Sequence, residues 1–282
     1  MNGWLIYDAP EVERNRVFID KWFSAAVLRR VDLRLVLTRD IAYGIGGDRA
    51  FVENQCTNTF PDFAVMRAQH PVLSLHMENM GIPVFNNAEI AHICNDKRLT
   101  HERLCRLVPM MDTAFVEAGC FMQPFAFPVV VKSSHASGGR KVFLCRDKKD
   151  YASALALCAP DSAVVQPACD TLGKDVRAYV LGNRIVKTMM RLSNEGDFRS
   201  NLAQGGDAVP FVLPTHARQM VEAIAQQFHF GLVGVDFIFH KGELVFNEIE
   251  DAVGTRMLYM HTDMDIVRDY LDFILGALRG SA

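Results

Sequence analysis

The sequence predicts an α/β domain followed by α+β lobes, and three stretches carry that expectation. Residues 4–37 read as a short apolar strand, a helix and a second strand. Residues 127–191 are mostly short β-branched runs separated by glycine-bearing turns. Leu232 to Glu250, LVGVDFIFHKGELVFNEIE, places two apolar runs on either side of Lys241-Gly242, the pattern of a β-hairpin. With 282 residues, 50% of them hydrophobic, the chain can bury a sizeable core and hold two or three compact units.

Taken in order, WLIY is a strand that ends at Asp8-Ala9-Pro10. Phe18, Ile19, Trp22, Phe23, Ala26 and Val27 recur at helical spacing between Asn15 and Arg29, and LRLVL follows as a strand. Ala42 to Asp48 contains three glycines without the spacing of a dinucleotide fingerprint and reads as a loop. Phe63 to Met66 is a strand with Arg67 at its end, Val72 to Asn79 a helix and Ile82 to Phe85 a further short strand, so residues 1–90 form a small α/β sheet domain. Residues 88–107 carry one helical pattern with Lys97 near its middle. Phe127 to Lys132 and the run after SSHASGGR are the two strands of a hairpin with a small-residue tip. Asp150 to Leu157 is a short helix, and Ala163 to Gln166 a strand running into Pro167. Strands from Gly173 to Leu181 and Ile185 to Arg191 flank a Gly182-Asn183 turn; helices follow at His216 to Phe228 and Asp263 to Leu278.

Bulk charge names no partner. A formal net charge of -3 argues against a nucleic-acid footprint spread over the whole domain, while a local basic cleft for a phosphorylated ligand stays open. The seven cysteines lie far apart with no CxxC pair, which indicates neither a disulfide framework nor a zinc ribbon. MNGWLIYDAP lacks the basic region and long apolar run of a signal peptide, so reduced thiols in the cytoplasm are the simpler expectation. No run of about 18 uninterrupted apolar residues occurs, which leaves no obvious membrane span.

Chemistry concentrates in a few places. Glu248 and Glu250 share a strand face, and pairing within the hairpin brings Asp236 across from them. Carboxylates so gathered repel unless a cation sits among them, and hard divalent ions such as magnesium take oxygen ligands; an ordinary solvated face would place acids there too. Lys132 ends its strand just before Ser133 to Arg140, whose small residues leave backbone N–H groups open to a polyphosphate, although a mobile hairpin looks the same in sequence. The exposed strand edge at Gln166 and Pro167 offers the backbone donor and acceptor that an adenine edge needs. Asp175 and Arg177 share a face, as do Lys187 and Arg191 on the next strand. Arg177, Lys187, Arg191 and Arg199 thus cluster in a way that suits anionic oxygens.

Lys97, Lys132, the glycine-bearing hairpin, KDVRAYV, GDFRSN and the Asp236 to Glu248 hairpin stand in the order found in ATP-grasp enzymes. From about residue 60 to 260 the chain resembles the RimK-like branch, carboxylate-amine ligases of the type that modifies ribosomal protein S6; its NxxxIxxxxDKxxT pattern is matched by Asn87, Ile90 or Ile93, Asp96-Lys97 and Thr100. The resemblance implies an ATP-grasp fold: an N-terminal α/β domain at 1–90, a central lobe at 91–168 and a C-terminal lobe with the metal site at 169–282, the two lobes sandwiching ATP. It implies that Lys97 and Lys132 contact phosphates or adenine and that the Ser133 to Arg140 loop, with Ser137, Gly138 and Gly139, covers the triphosphate. Gln166, Pro167, Ala168 and Cys169 would cradle adenine, with Asp175 and Lys187 also on the nucleotide side. Arg177, Arg191 and Arg199 would hold the γ-phosphate and the carboxylate or acylphosphate, and Asn201 would lie at the same junction. Asp236 and Glu248 match the magnesium carboxylates; manganese is an acceptable substitute.

The sequence departs from that branch at three points. Pro167-Ala168 replaces an acid and an aromatic or apolar residue in the hinge; Glu250 stands where an asparagine is usual; and Asp251 to Arg256 replaces an asparagine-serine-proline-glycine run. Arg256 is a candidate reader of the second substrate's carboxylate. The implied reaction is ATP-dependent amide formation between a small-molecule or peptide carboxylate and an amine through an acylphosphate, with no nucleic-acid or membrane partner and with homo-oligomerisation left open. A phosphotransferase on the same ATP site and a non-catalytic nucleotide-binding module are the rival readings.

Overall fold

The structure is a computed structural model that describes residues 1–56, 59–136, 138–193 and 206–280. The chain divides into two compact units: residues 1–92, 229–233 and 251–282 form the first, and residues 93–228 and 234–250 the second.

The first unit is built on a parallel sheet of β1 (Asn2–Tyr7), β2 (Asp32–Leu37), β5 (Phe63–Met66) and β6 (Val84–Phe85), in the order β2-β1-β5-β6; between β2 and β5 lie β3 (Ile41–Gly46) and β4 (Arg49–Asn54). Its helices are α1 (Ala9–Arg14), α2 (Arg16–Leu28) and α3 (Pro71–Asn79); the chain leaves the unit within α4 (Ala88–Cys94) and returns for the unit's last two helices. Near-continuous apolar strands suit a sheet buried on both faces. Trp4, Ile6, Ala64 and Met66 pack with Leu73 and Met77 of α3. By the period of two, Leu5, Tyr7, Phe63 and Val65 take the opposite face, where α2 meets the C-terminal helix through an edge-on contact of Trp22 with Tyr270.

The stretch from Ala42 to Asp48, expected to be a loop, is instead most of a hairpin in which β3 pairs antiparallel with β4. Gly44 lies under the Phe51 ring: a Cβ there would stand 3.1 Å from Phe51 Cζ, so the glycine makes room for a cross-strand aromatic. The single helix expected over residues 88–107 is two, α4 and α5 (Lys97–Leu104). Asp96 breaks the run by capping α5, its carboxylate accepting from the Arg98 N–H at 2.9 Å, and this moves Lys97 from mid-helix to the first helical turn.

The second unit holds two antiparallel sheets. One contains β7 (Ala114–Val116), β8 (Val129–Ser133), β9 (Val142–Cys145) and β10 (Ala163–Pro167) in the order β7-β10-β8-β9. Val129, Val131 and Val165 pack with Tyr151, Ala154 and Cys158 of α6 (Lys148–Cys158), which leaves Val130, Lys132 and Gln166 on the other face. The second sheet runs β13-β12-β11-β14-β15: β11 (Lys174–Leu181), β12 (Arg184–Leu192), β13 (Asp207–Pro210), β14 (Leu232–His240) and β15 (Glu243–Glu250). Helix α7 (Thr215–Ala225) packs against β12. The turn between β14 and β15 is the expected two-residue one, with φ of +53° at Lys241 and +79° at Gly242. Strands β7 and β13 and the helix α8 (Arg256–His261) were not legible beforehand, each being six residues or shorter. The first unit is completed by α8 and α9 (Ile266–Gly280).

Candidate active site

The face of the β8–β10 sheet that carries Val130, Lys132 and Gln166 forms one wall of a cleft inside the second unit. Val130, Val142, Pro167, Leu172 and Ile238 give it apolar walls, while Lys97, Lys132, Asp175, Asn247 and Glu248 bring charge and polarity. That mixture suits a ligand with both a flat apolar part and an anionic part. Gly138 and Gly139 line it with φ of +66° and +74°, a backbone course that residues with a Cβ seldom follow.

Two lysines, Lys97 and Lys132, line the cleft with Glu248. Lys97 Nζ stands 3.6 Å from Glu248 and donates to the Ala136 carbonyl, and Lys132 Nζ donates to Asn247 Oδ1 at 2.7 Å. Burial drives the Lys132 ammonium down to about 8, with Lys97 adding repulsion and Glu248 opposing both. Asn247 reaches this position through a β-bulge: Asp236 pairs with Glu248 and Phe237 with Phe246, which leaves Asn247 unpaired beside Glu248.

Beneath Gln166 lies a buried polar chain that sequence reasoning missed. His101 is pushed down to about 4, first by burial and then by the Lys132 charge, so the ring is neutral at physiological pH. Its Nδ1 lies 2.7 Å from the Lys97 carbonyl and must donate, so Nε2 accepts from Gln166 Nε2 at 3.1 Å. Gln166 Nε2 also donates to Thr113 Oγ1 at 2.9 Å, and the Thr113 hydroxyl donates to the Met111 carbonyl at 2.8 Å. A lone histidine amid KRLTHERL offers no sign of this in the sequence.

The five-stranded sheet carries five charged side chains in one network. Arg177 donates to both oxygens of Asp236, each at 2.7 Å, and pairs with Glu250. Arg191 donates to both oxygens of Asp175, at 2.5 and 2.6 Å, and to Asp236 Oδ2 at 2.7 Å. Asp236 is fully buried, which alone would raise its carboxyl, but the two guanidiniums overcome this and hold it below the usual carboxylate range. Glu250 goes the other way: burial raises it further than Arg177 lowers it.

The positions expected from sequence fall into groups. Lys97, Lys132, Gly138, Gly139, Gln166, Pro167, Cys169, Asp175 and Glu248 all line the cleft. Arg177, Arg191, Asp236 and Glu250 join Asp175 in the ion-pair network. The Ala168 N–H is taken by the Pro128 carbonyl at 3.0 Å, and Lys187 sits opposite Tyr179 on β12, outside the cleft lining. Arg256 opens α8 in the first unit. Ser137, Arg199 and Asn201 lie outside the described residues. Among the described residues no three acidic, histidine or cysteine side chains form a ready-made metal cluster, and the oxygens of Asp236 face guanidinium groups.

The family model described as the RimK-like ATP-grasp domain matches residues 110–274, more than half of the chain. The chain is 28% identical over 269 residues to N-acetylaspartylglutamate synthase A of Homo sapiens, covering 88% of this chain and 69% of that protein. Among solved structures it is similar to a RimK domain ATP-grasp protein from Sphaerobacter thermophilus DSM 20745, with a TM-score of 0.72 and 19% identity over 98% of this chain and all of that one. It is also similar to D-alanine–D-alanine ligase from Bacillus anthracis complexed with ATP, with a TM-score of 0.69 and 14% identity over the whole of both chains. At such identities the two structures establish the fold.

Proposed function

We propose, from the premise that the chain belongs to the RimK-like ATP-grasp family, that it is an ATP- and magnesium-dependent carboxylate-amine ligase acting through an acylphosphate. Membership makes it an enzyme of the carbon–nitrogen ligase type. The observation that carries the finer reading is the cleft lined by Lys97, ion-paired with Glu248, and by Lys132, which donates to Asn247, beside apolar walls and a glycine-bearing loop. In this reading the apolar part receives the adenine between Val130, Pro167 and Ile238, and the lysines neutralise phosphate oxygens.

The reaction joins two poor partners. A carboxylate resists attack because it would have to lose an oxide; transfer of the γ-phosphoryl group of ATP to a carboxylate oxygen supplies a leaving group and releases ADP. The amine nitrogen then attacks the acyl carbon, the carbon–oxygen bond to phosphate breaks, and the nitrogen loses a proton to give the amide. Little covalent work falls to the protein, so its contribution is positioning and charge. Arg177 and Arg191 are assigned to the developing anion, with Arg199 and Asn201 at the same junction. Oxygen donors of Asp236 and Glu248, with Glu250 beside them, are the right chemistry for a hard divalent ion, which would neutralise phosphate charge when bound. Arg256 is retained as the candidate for the second substrate's carboxylate.

The division at 1–90, 91–168 and 169–282 with ATP between the last two parts, a cytoplasmic setting and the absence of a nucleic-acid partner belong to the same proposal. No helix among the described residues is long and apolar enough to cross a membrane. The test is incubation with ATP, magnesium and pooled acids and amines, including N-acetylaspartate and glutamate as the parts of the human relative's named product. Mass spectrometry of products is paired with separate assays of ADP, AMP and phosphate. Amide formation with one ADP and one phosphate per product is expected; AMP release, or a phosphorylated product with no amide, would overturn it.

A further inference from the structure

The carboxylates suited to a metal ion are already compensated from within. Asp236 is wholly buried and accepts three charge-assisted hydrogen bonds, two from Arg177 and one from Arg191, all at 2.7 Å. Glu250 is paired with the same Arg177. Arg191 is in turn anchored by both oxygens of Asp175. A cation approaching Asp236 must displace guanidinium groups that are themselves buried, and a buried guanidinium left without an anion is heavily penalised. A cation arriving alone therefore competes with both guanidiniums for Asp236 and brings no anion to replace that carboxylate as their partner.

We propose that Arg177 and Arg191 are built-in counterions that close the metal site, so that a divalent cation enters together with an anion that draws the guanidiniums away. Cation and phosphate binding to this chain are then strongly coupled, each opening the site for the other, and the coupling is reciprocal. Asp175 is a positioning residue here: it holds Arg191 where it can bridge to Asp236. The same arginines that close the site to a lone cation are the groups that receive the anion when both ligands are present. This rests on the reading of Asp236 and Glu248 as the carboxylates that take a hard cation.

Binding of Mn2+ to the full chain, followed by the electron paramagnetic resonance signal of free Mn2+, tests the coupling without any turnover. Inorganic phosphate is the anion, because it chelates Mn2+ far more weakly than ATP does. In the wild type, saturating phosphate should tighten Mn2+ binding by about tenfold or more, within the usual range of coupling between sites. Arg191→Met should tighten binding of Mn2+ alone by a comparable factor and reduce the effect of phosphate, and Asp175→Asn, which frees Arg191, should do the same to a smaller degree. The wild-type comparison stands even if a substitution unfolds the chain. Equal Mn2+ affinity with and without phosphate would overturn the coupling while leaving the metal reading in place. No Mn2+ binding in any arm would overturn both.

Discussion

Replacing Lys132 by methionine should stabilise the ligand-free protein while weakening its hold on nucleotide. Burial above all, with repulsion from Lys97, brings the Lys132 ammonium from 10.5 to about 8, a penalty on the order of 3 kcal/mol for carrying the charge at pH 7. Methionine removes that penalty and keeps an apolar stem of similar length. It also gives up the hydrogen bond to Asn247 at 2.7 Å, worth about 1 kcal/mol; Asn247 is only half-buried and can turn to water. A net gain of about 2 kcal/mol remains. The sign with pH follows from linkage: the folded value is depressed, so the penalty is complete below about 8 and fades as pH rises through that value toward the unfolded 10.5. The wild type should therefore recover about 2 kcal/mol relative to the variant between pH 7 and pH 9.5. Urea unfolding of both proteins at the two pH values measures this. A variant that unfolds at lower urea than wild type at pH 7, or a difference that stays constant with pH, would refute the reasoning.

Asp236→Asn removes the charge that two buried guanidiniums share and should cost about 3–5 kcal/mol in urea unfolding, whereas Glu250→Gln should cost under about 1 kcal/mol, because burial already disfavours the ionised form of Glu250. Equal losses would contradict the different environments of the two acids. Gly231→Ala places a Cβ 2.4 Å from both Asn86 Oδ1 and Tyr270 Oη, so thermal melting should report a loss of about 1–3 kcal/mol; an unchanged melting temperature would mean that the Asn86 and Tyr270 side chains relax freely. Hydrogen exchange over residues 133–140 should slow with a nonhydrolysable ATP analogue, since that hairpin tip borders the cleft; unchanged exchange at saturation would remove it from the nucleotide site.

Much of the second unit was legible because it depends on local periods. The Lys241-Gly242 turn, the alternation that sends Lys132 to the cleft and Val131 to the core, and the shared face of Lys187 and Arg191 in the regular pairing of β12 with β11 all follow from neighbours one to four residues away. The break at Asp96 was also local, an N-cap readable from Asp96 itself, and was missed because apolar residues continue at helical spacing across it. Asn247 was not legible: the bulge that turns it beside Glu248 is a property of the pairing with β14, not of FNEIE alone. His101 meets Gln166 from 65 positions away, a tertiary contact that no local pattern around either residue announces.

The partners of the acids were least legible, since sequence supplies the sign of a charge and its strand face but sheet order decides which charges meet. Arg177 and Asp236 are 59 positions apart and touch because β11 lies beside β14; Arg191 joins them because β12 lies beside β11. That order leaves two neighbouring groups with opposite imbalances. Asp175, Asp236 and Glu250 against Arg177 and Arg191 carry three formal negative charges to two positive, while Lys97 and Lys132 against Glu248 carry two positive to one negative. The excess negative charge falls on Glu250, the acid whose ionised form burial disfavours, and the excess positive charge falls on Lys132, the lysine whose ammonium burial disfavours. Each imbalance is relieved by a ligand of opposite sign, an anion at the lysines and a cation at the carboxylates. A polyphosphate with its divalent ion satisfies both at once, and neither ion alone does.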